Sequence, residues 1–352
     1  MFKIAIVGCG RISKKHISLL GENKIKNAKL VSVCDIVEQK AKEYGKKYNV
    51  PYYTDMFEMM KKEDIDIISV LTESGNHAKN VIELSKYRKH IIVEKPMALT
   101  IDDADSMIEA CDKNNCRLFV VKQNRFNLPV IKLKEAFDKE RFGKIFLGTV
   151  RVRWSRNQSY YDQHSWRGTW AMDGGVIANQ ASHHIDLLQW MLGKVDSVYA
   201  KGIKALANIE VEDTAVVVLK FRNGALGIVE ATTATRPKDI EASISVLGEK
   251  GTVEIGGFAV NRIKYWEFVE KDRENIDIEK LSENPPNIYG FGHKAYYEHV
   301  IDSITNNKSF MVDGLEGRKT VEIISAIYES METKKEIYLR FKPEKCKLGL
   351  RL

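Results

Sequence analysis

At 352 residues, with 44% hydrophobic and 29% charged side chains, the chain is long enough for two domains with large cores and too ordinary in composition for long disordered stretches. The net charge of +7 is spread over Lys and Arg interspersed with Asp and Glu, which reads as a solvated surface rather than a nucleic-acid groove and suits an anionic small substrate. No run approaches about 18 uncharged apolar residues, so no membrane span is expected. Five scattered cysteines without a C-x-x-C pair fit reduced thiols in a cytoplasm, not a disulfide framework or a zinc site.

The apolar stretch at residues 2–7 is too short for a signal segment and runs into glycines, so it reads as a first strand. Through residue 122, short Val- and Ile-rich runs at 4–7, 30–34, 65–71, 90–93 and 118–121 alternate with helix-like segments near 16–20, 37–48, 56–62, 77–87 and 101–114. Thr100 with Asp103 reads as a helix N-cap with an acidic first turn. This alternation predicts an α/β domain, a doubly wound parallel sheet covered on both faces. Past Gln123 the pattern changes. A helix is expected over 128–139, a strand over 145–154, an irregular aromatic-rich loop over 155–172, and one continuous helix from Gly174–Gly175 to Met191, closed by Gly193. Strands follow over 198–205, 214–221, 226–233, 242–247, 252–255 and 260–268. Asn223-Gly224 marks one hairpin turn and Gly248-Glu249-Lys250-Gly251 a second. Helices over 294–306 and 315–334 close the chain. The expectation is two domains, 1–122 and 123–352, the second α+β with a large open, mostly antiparallel sheet.

Gly8-Cys9-Gly10 lies between the first strand and a helix, the setting in which a glycine-rich turn binds a dinucleotide. Gly8 permits the tight turn and Gly10 lets the backbone approach a pyrophosphate. Arg11 and Ile12 lead into the helix, whose first N–H groups face the phosphates. Ser13 replaces the third glycine, and Cys9 is a small filler. Asp35, ending the second apolar run, can accept the adenosine ribose hydroxyls and would repel a 2′-phosphate, so NAD is favoured over NADP. It can also cap the following helix. Thr72, Asn76 and His77 follow the run ending at Leu71 and are candidates for cofactor contacts; a helix cap is the alternative for Asn76.

Glu94-Lys95-Pro96 ends a later run and brings an amine to the same carboxyl edge. Hydride transfer from a secondary alcohol needs a group that takes the hydroxyl proton. A lysine with a pKa of ~10.4 is a poor acceptor at neutral pH; burial and a nearby positive nicotinamide would lower it. Glu94 opposes that, and points away or orients the amine. On the expected helix Asn179 and His183 are i,i+4 neighbours, Asp186 is three residues beyond His183, and His184 points about 100° away. H-E-x-x-H spacing is absent and no metal is expected.

Gly8-x-Gly10-Arg11-Ile12 with His16, then Glu94-Lys95-Pro96, then Asp173-Gly174-Gly175 leading to His183 and Asp186, together resemble the Gfo/Idh/MocA oxidoreductases over essentially the whole chain. The resemblance implies a Rossmann domain, a second domain with an open sheet, NAD(P), homotetramers built through the sheets, and Lys95 with His183 as the catalytic pair. Many members have an aspartate where this chain has Asn179. More narrowly, Phe119 through Arg125, Tyr160-Tyr161-Asp162, Trp166-Arg167-Gly168-Thr169-Trp170, Asn179 through His183, Ile209 through Thr214 and Tyr289 through His293 are similar to the subgroup of UDP-N-acetyl-2-amino-2-deoxyglucuronate 3-dehydrogenases, enzymes of bacterial surface-glycan synthesis. That subgroup implies a nucleotide-sugar acid oxidised at its C3 hydroxyl, and Asn179 fits it. Arg125, Arg156, Arg167 and Lys238 would meet the diphosphate and carboxylate. Tyr160, Tyr161 and Trp166 would stack on uracil or sugar. Asn179 and Tyr289 complete the substrate set, and Glu94, Gln123, Trp166 and Arg167 are expected beside the cofactor. The rivals are a dehydrogenase of a free polyol such as inositol, which would leave the arginines without an anion, and a catalytically silent sugar- or NAD-sensing protein, against which Lys95 and His183 argue.

Overall fold

The computed structural model describes residues 1–270, 278–283, 290–308, 311–340 and 346–349. It divides into two compact units, Met1–Lys122 with His293–Val321, and Gln123–Gly292 with Glu322–Leu352.

The first unit alternates β1 (Phe2–Val7), α1 (Ser13–Gly21), β2 (Ala28–Cys34), α2 (Glu38–Tyr48), β3 (Tyr52–Tyr53), α3 (Met56–Lys62), β4 (Ile67–Val70), α4 (His77–Ser85), β5 (His90–Val93), α5 (Ile101–Lys113) and β6 (Leu118–Val120). All pairings are parallel, in the order β3-β2-β1-β4-β5-β6. Chain order reverses between β1 and β4, and ligands of such sheets bind where that happens. Ile4, Ala5 and Ile6 of β1 are completely buried, as a strand covered on both faces requires. Thr100 Oγ1 accepts the Asp103 N–H at 3.1 Å, so the expected cap is formed. Helix α5 buries Ile101, Ala104, Met107 and Cys111, a stripe with helical spacing.

The second unit carries α6 (Leu128–Asp138), β7 (Ile145–Arg153), α7 (Gln158–Asp162), α8 (Ser182–Leu192), β8 (Val195–Ile203), β9 (Thr214–Phe221), β10 (Leu226–Thr232), β11 (Glu241–Gly248), β12 (Gly251–Gly256), β13 (Arg262–Phe268) and α9 (Ile278–Leu281). Two long helices follow, α10 (Gly292–Thr305) and α11 (Gly314–Thr333), then β14 (Ile337–Tyr338). The sheet order is β13-β12-β11-β7-β10-β9-β8-β14. Only β7 and β10 pair parallel; the other pairings are antiparallel, as expected. Helix α8 covers one face, burying Ile185, Leu187, Leu188 and Leu192, each contributing about 1.5–3 kcal/mol of apolar burial. The other face exposes Tyr199, Ile203, Val216, Val218 and Leu226. No helix among the described residues is long and apolar enough to cross a membrane.

Two expectations change. His293–Val321, read from sequence as part of the second domain, packs with the first unit. The reason is the open edge of β6. Val120 N–H donates to Val312 O at 2.8 Å, and the Arg117 guanidinium donates to Ser303 O at 2.9 Å and Lys308 O at 2.8 Å. Lys122 Nζ donates to Glu316 O and Thr320 Oγ1, both at 2.9 Å. An unpaired strand edge, the buried Lys122 ammonium and the half-buried Arg117 guanidinium are satisfied by that one returning segment. Second, the helix expected from Gly174–Gly175 to Met191 is not continuous. Val176–Gln180 forms a wide π-helical turn, closed by Ala181 N–H donating to Val176 O at 2.8 Å, before α8 begins.

Candidate active site

The dinucleotide turn sits at the reversal of strand order. Gly8 has φ +99°, and a Cβ there would lie 2.7 Å from the Leu71 carbonyl carbon and oxygen, so no other residue fits. A Cβ on Gly10 would meet nothing within 4 Å, which leaves its backbone open to a ligand. Ser13 Oγ donates to Gly10 O at 2.6 Å and fixes the turn. No acidic residue stands in the first turn of α1 to compete with a phosphate. Asp35 braces the turn: its Oδ2 accepts the Cys9 N–H at 2.7 Å and its Oδ1 the Val37 N–H at 2.8 Å. Helix α2 has no side-chain cap, and each Asp35 oxygen keeps a lone pair, so bracing the turn and meeting ribose hydroxyls are compatible. All five cysteines are free, and burial pushes the Cys9 thiol far above its ordinary range, which makes it a filler.

Lys95 is half-buried at the carboxyl end of β5, and its peptide bond to Pro96 is cis. Behind it lies a buried polar cluster. Glu94 Oε2 accepts the Lys95 N–H at 2.8 Å, and Glu94 Oε1 accepts from His16 Nε2 at 3.0 Å. His16 Nδ1 meets the Tyr297 hydroxyl at 2.8 Å, and that hydroxyl meets Ser69 Oγ at 3.2 Å. Burial pushes the Glu94 carboxyl up, but the His16 hydrogen bond and the charges of His16, His293 and Lys95 outweigh it and hold it at about 2. The Glu94 side chain, which the sequence placed beside the cofactor, is turned into this cluster and anchors the Lys95 N–H. His16, Glu94 and His293 bring ligand-type atoms within 4.8 Å of one another. The contacts of His16 and Glu94 with each other, with Tyr297 and with the Lys95 N–H account for this grouping as a hydrogen-bonded cluster.

His77 is also corrected. It is buried, with Nδ1 2.8 Å from Pro96 O and Nε2 2.9 Å from Thr72 O. Two carbonyl acceptors favour a doubly protonated ring, whereas burial, the larger effect, lowers its pKa. Either way it ties the Thr72 segment to the Pro96 loop and is closed to a ligand. Thr72 Oγ1 accepts from Asn80 Nδ2 at 2.9 Å. Asn76 makes no side-chain cap; its Nδ2 donates to Glu73 at 3.2 Å.

In the second unit, Gln123 is buried and its side-chain amide nitrogen lies 2.9 Å from His183 Nε2. The i,i+4 relation expected of Asn179 and His183 assumed a continuous α-helix, and the π-helical turn interrupts it. Asn179 Nδ2 instead donates to Asp173 Oδ1, while Asp173 Oδ2 accepts the Gly168 N–H at 2.8 Å. Asp173, not singled out from sequence as a site residue, thus joins the Trp166–Gly168 loop to the Asn179 turn.

The arginines divide. Arg125 is fully buried in a two-pronged pair with Asp186, at 2.7 and 2.8 Å, over the Trp190 ring. It is a structural ion pair, closed to substrate. Arg156 pairs with Asp239 at 3.0 Å. Arg167 is buried with its guanidinium 4.3 Å from the Tyr160 ring centroid and 5.1 Å from that of Trp166. Its Nε has no hydrogen-bond partner among the described residues. Tyr161 is a packing residue: it is buried, its hydroxyl meets Thr233 Oγ1 at 2.9 Å, and burial pushes its pKa to about 12. Lys238 is exposed beyond β10. Tyr289 lies outside the described residues.

A glycine turn at the reversal of a parallel sheet, braced by a carboxylate and followed by a lysine at the next strand end, defines an NAD-binding oxidoreductase. Residues 2–122 match the family model described as the NAD-binding Rossmann fold of the GFO_IDH_MocA oxidoreductase family, and residues 134–339 match that of its C-terminal alpha/beta domain. The chain belongs to the Gfo/Idh/MocA oxidoreductase family. It is similar to the WlbA dehydrogenase of Chromobacterium violaceum, solved with NADH and UDP-GlcNAcA: 42% identity, 96% of this chain and 95% of that one, TM-score 0.90. It is also similar to WlbA of Bordetella pertussis, solved with the same two ligands, at 38% identity over 96% and 98% of the two chains, TM-score 0.88. A myo-inositol 2-dehydrogenase of Thermotoga maritima is 29% identical over 96% of this chain and 98% of its own.

Proposed function

We propose that the protein oxidises the C3 hydroxyl of a UDP-sugar acid, UDP-N-acetylglucosaminuronate, to the 3-keto sugar with NAD. The observation that carries this is Arg167. A buried guanidinium held between two aromatic rings, without a carboxylate partner among the described residues, is prepared for an anion brought by a ligand. A neutral polyol would leave it unanswered. The similarity to two proteins solved with UDP-GlcNAcA supports the same reading.

Bound NAD supplies the hydride acceptor. Lys95 takes the hydroxyl proton on an amine that has first released its own, while the carbon becomes a ketone. His183, held by Gln123, orients the sugar. Tyr160, Trp166 and Asn179 line the sugar and base, and Arg156 and Lys238 stand as outer cations. The exposed apolar face of the second unit's sheet, with Tyr199, Ile203, Val216 and Val218, is the surface through which homotetramers form. A free polyol is the second reading, favoured by the likeness to myo-inositol 2-dehydrogenase.

The test is NADH formation from NAD with UDP-N-acetylglucosaminuronate, UDP-N-acetylglucosamine and myo-inositol in parallel, with a check for substoichiometric product. Turnover of the uronate alone supports the proposal; turnover of inositol alone replaces it with the second reading.

A further inference from the structure

The wide turn that precedes His183 is held from below by a carboxyl group that takes no part in the reaction proposed above. Glu212 Oε1 accepts the Ile177 N–H and the Tyr328 O–H, both at 3.0 Å. The Tyr328 oxygen accepts the Gly175 N–H at 2.9 Å, and Glu212 O accepts the Val176 N–H at 3.0 Å. Three successive amides at the start of the turn, 175 to 177, are therefore captured by one Glu–Tyr pair. An α-helix leaves such N-terminal amides unpaired, and here they are fixed in place. Gly175 is what lets the carboxyl sit there: a Cβ at 175 would lie 2.2 Å from Glu212 Oε2. Oε2 itself is buried with no hydrogen-bond partner among the described residues.

We propose that Glu212, acting with Tyr328, is a positioning residue for the reaction: it sets the frame of the Val176–Gln180 turn and thereby the placement of Asn179 and His183 against the sugar. The proposal rests on the dehydrogenase reading above. What the turn needs from position 212 is a well-placed acceptor rather than a negative charge, because all the partners at Oε1 are neutral donors. Glutamine, which keeps that oxygen, should therefore serve where alanine does not.

The experiment compares the full-length wild type with E212A, E212Q and Y328F, reading kcat, KM and NAD affinity, with amide exchange over 173–186. E212A and Y328F are expected to lose about 10²-fold in kcat, the cost of a misplacement of about 1 Å. Their NAD affinity should be unchanged, since the glycine turn lies in the other unit, and exchange at 175–177 should rise. E212Q should restore kcat. If E212A does not fold, Y328F decides alone. An unchanged kcat in Y328F despite faster exchange overturns the proposal, as does E212Q losing as much as E212A. If the wild type itself turns over no nucleotide sugar, the dehydrogenase reading fails separately. The His183 ring resonances then judge the positioning role: shifted in Y328F they uphold it, unmoved they overturn it.

Discussion

Glu94 and Glu212 are both buried, one in each unit, and each stands next to a residue of the proposed chemistry. Glu94 adjoins Lys95; Glu212 holds the turn that leads to His183. Their surroundings drive them in opposite directions. Burial pushes both carboxyls up, but Glu94 faces an imidazole and the nearby charges of His293 and Lys95, and is held at about 2. Glu212 faces an amide and a phenol, with Asp213 as a charged neighbour of the same sign, and is pushed up to about 7. Partners, not depth, decide which buried acid is a charge and which is a hydrogen-bonding strut. The first arrangement suits a residue that must fix an amine, the second one that must hold backbone amides.

Removing the amine sets the scale. Lys95→Ala should lower turnover by about 10²–10⁴-fold, the range of general acid–base catalysis, while calorimetry shows NAD still bound. Near-normal turnover would detach Glu94 from the chemistry altogether. Arg167→Ala comes next: losing charge-assisted hydrogen bonds worth about 1.5–3 kcal/mol should raise the KM for the uronate by roughly 10–100-fold and leave the KM for NAD unchanged. An equal loss with UDP-N-acetylglucosamine would assign Arg167 to the diphosphate rather than the carboxylate. Glu94→Gln should cost about 2 kcal/mol of stability at pH 7, read as a lower Tm, because His16 loses its anionic acceptor. A folded carboxyl at about 2 against an ordinary 4.5 contributes stability that is present above pH 4.5 and lost as pH falls toward 2. The wild-type and Glu94→Gln melting curves should therefore converge in that window and nowhere above it.

The contrast between these two sites was unequally legible. Gly8, Gly10, Asp35 and Lys95 are readable because local patterns place them: a glycine turn between strand and helix, an acid at one strand end, an amine at another. The parallel first sheet, the Asn223-Gly224 hairpin and the mostly antiparallel second sheet follow from alternation and turn residues in the same way. Long-range pairings were not readable. His16 reaches Glu94 across 78 residues, Arg125 reaches Asp186 across 61, and Tyr328 reaches Glu212 across 116. Arg125 and Arg167 look alike as sequence, and only the presence of Asp186 beside one of them makes it a structural residue. The π-helical turn was missed because its cause, the Glu212–Tyr328 pair, comes from two distant segments. The signal available was Gly174-Gly175 itself, a pair too small for a helix start without a close neighbour to accommodate.

The comparison is sharpest where its two halves predict opposite signs. Relative to an ordinary 4.5, the displacements of Glu94 and Glu212 correspond to roughly 3 kcal/mol each, favourable for the first and unfavourable for the second. For Glu212 the folded carboxyl holds its proton up to about pH 7 while the unfolded chain has released its own above 4.5. The native state thus binds more protons across that window, and stability falls as pH rises through it, staying lower above 7. Tyr328, pushed well above its ordinary value by burial, remains neutral throughout, and the Asp213 carboxyl, lowered by the N–H groups of 205–207, keeps its charge. Glu212→Gln removes the titration and keeps the acceptor. Its Tm should be close to the wild type at pH 5 and a few degrees above it at pH 8, a small gain. Glu94→Gln, by contrast, should melt below the wild type at both. If Glu212→Gln also melts lower at pH 8, the carboxyl is ionised in the folded protein and has an unrecognised cation facing Oε2. Glu212 would then be a second charged anchor like Glu94, and the difference between the two units would disappear.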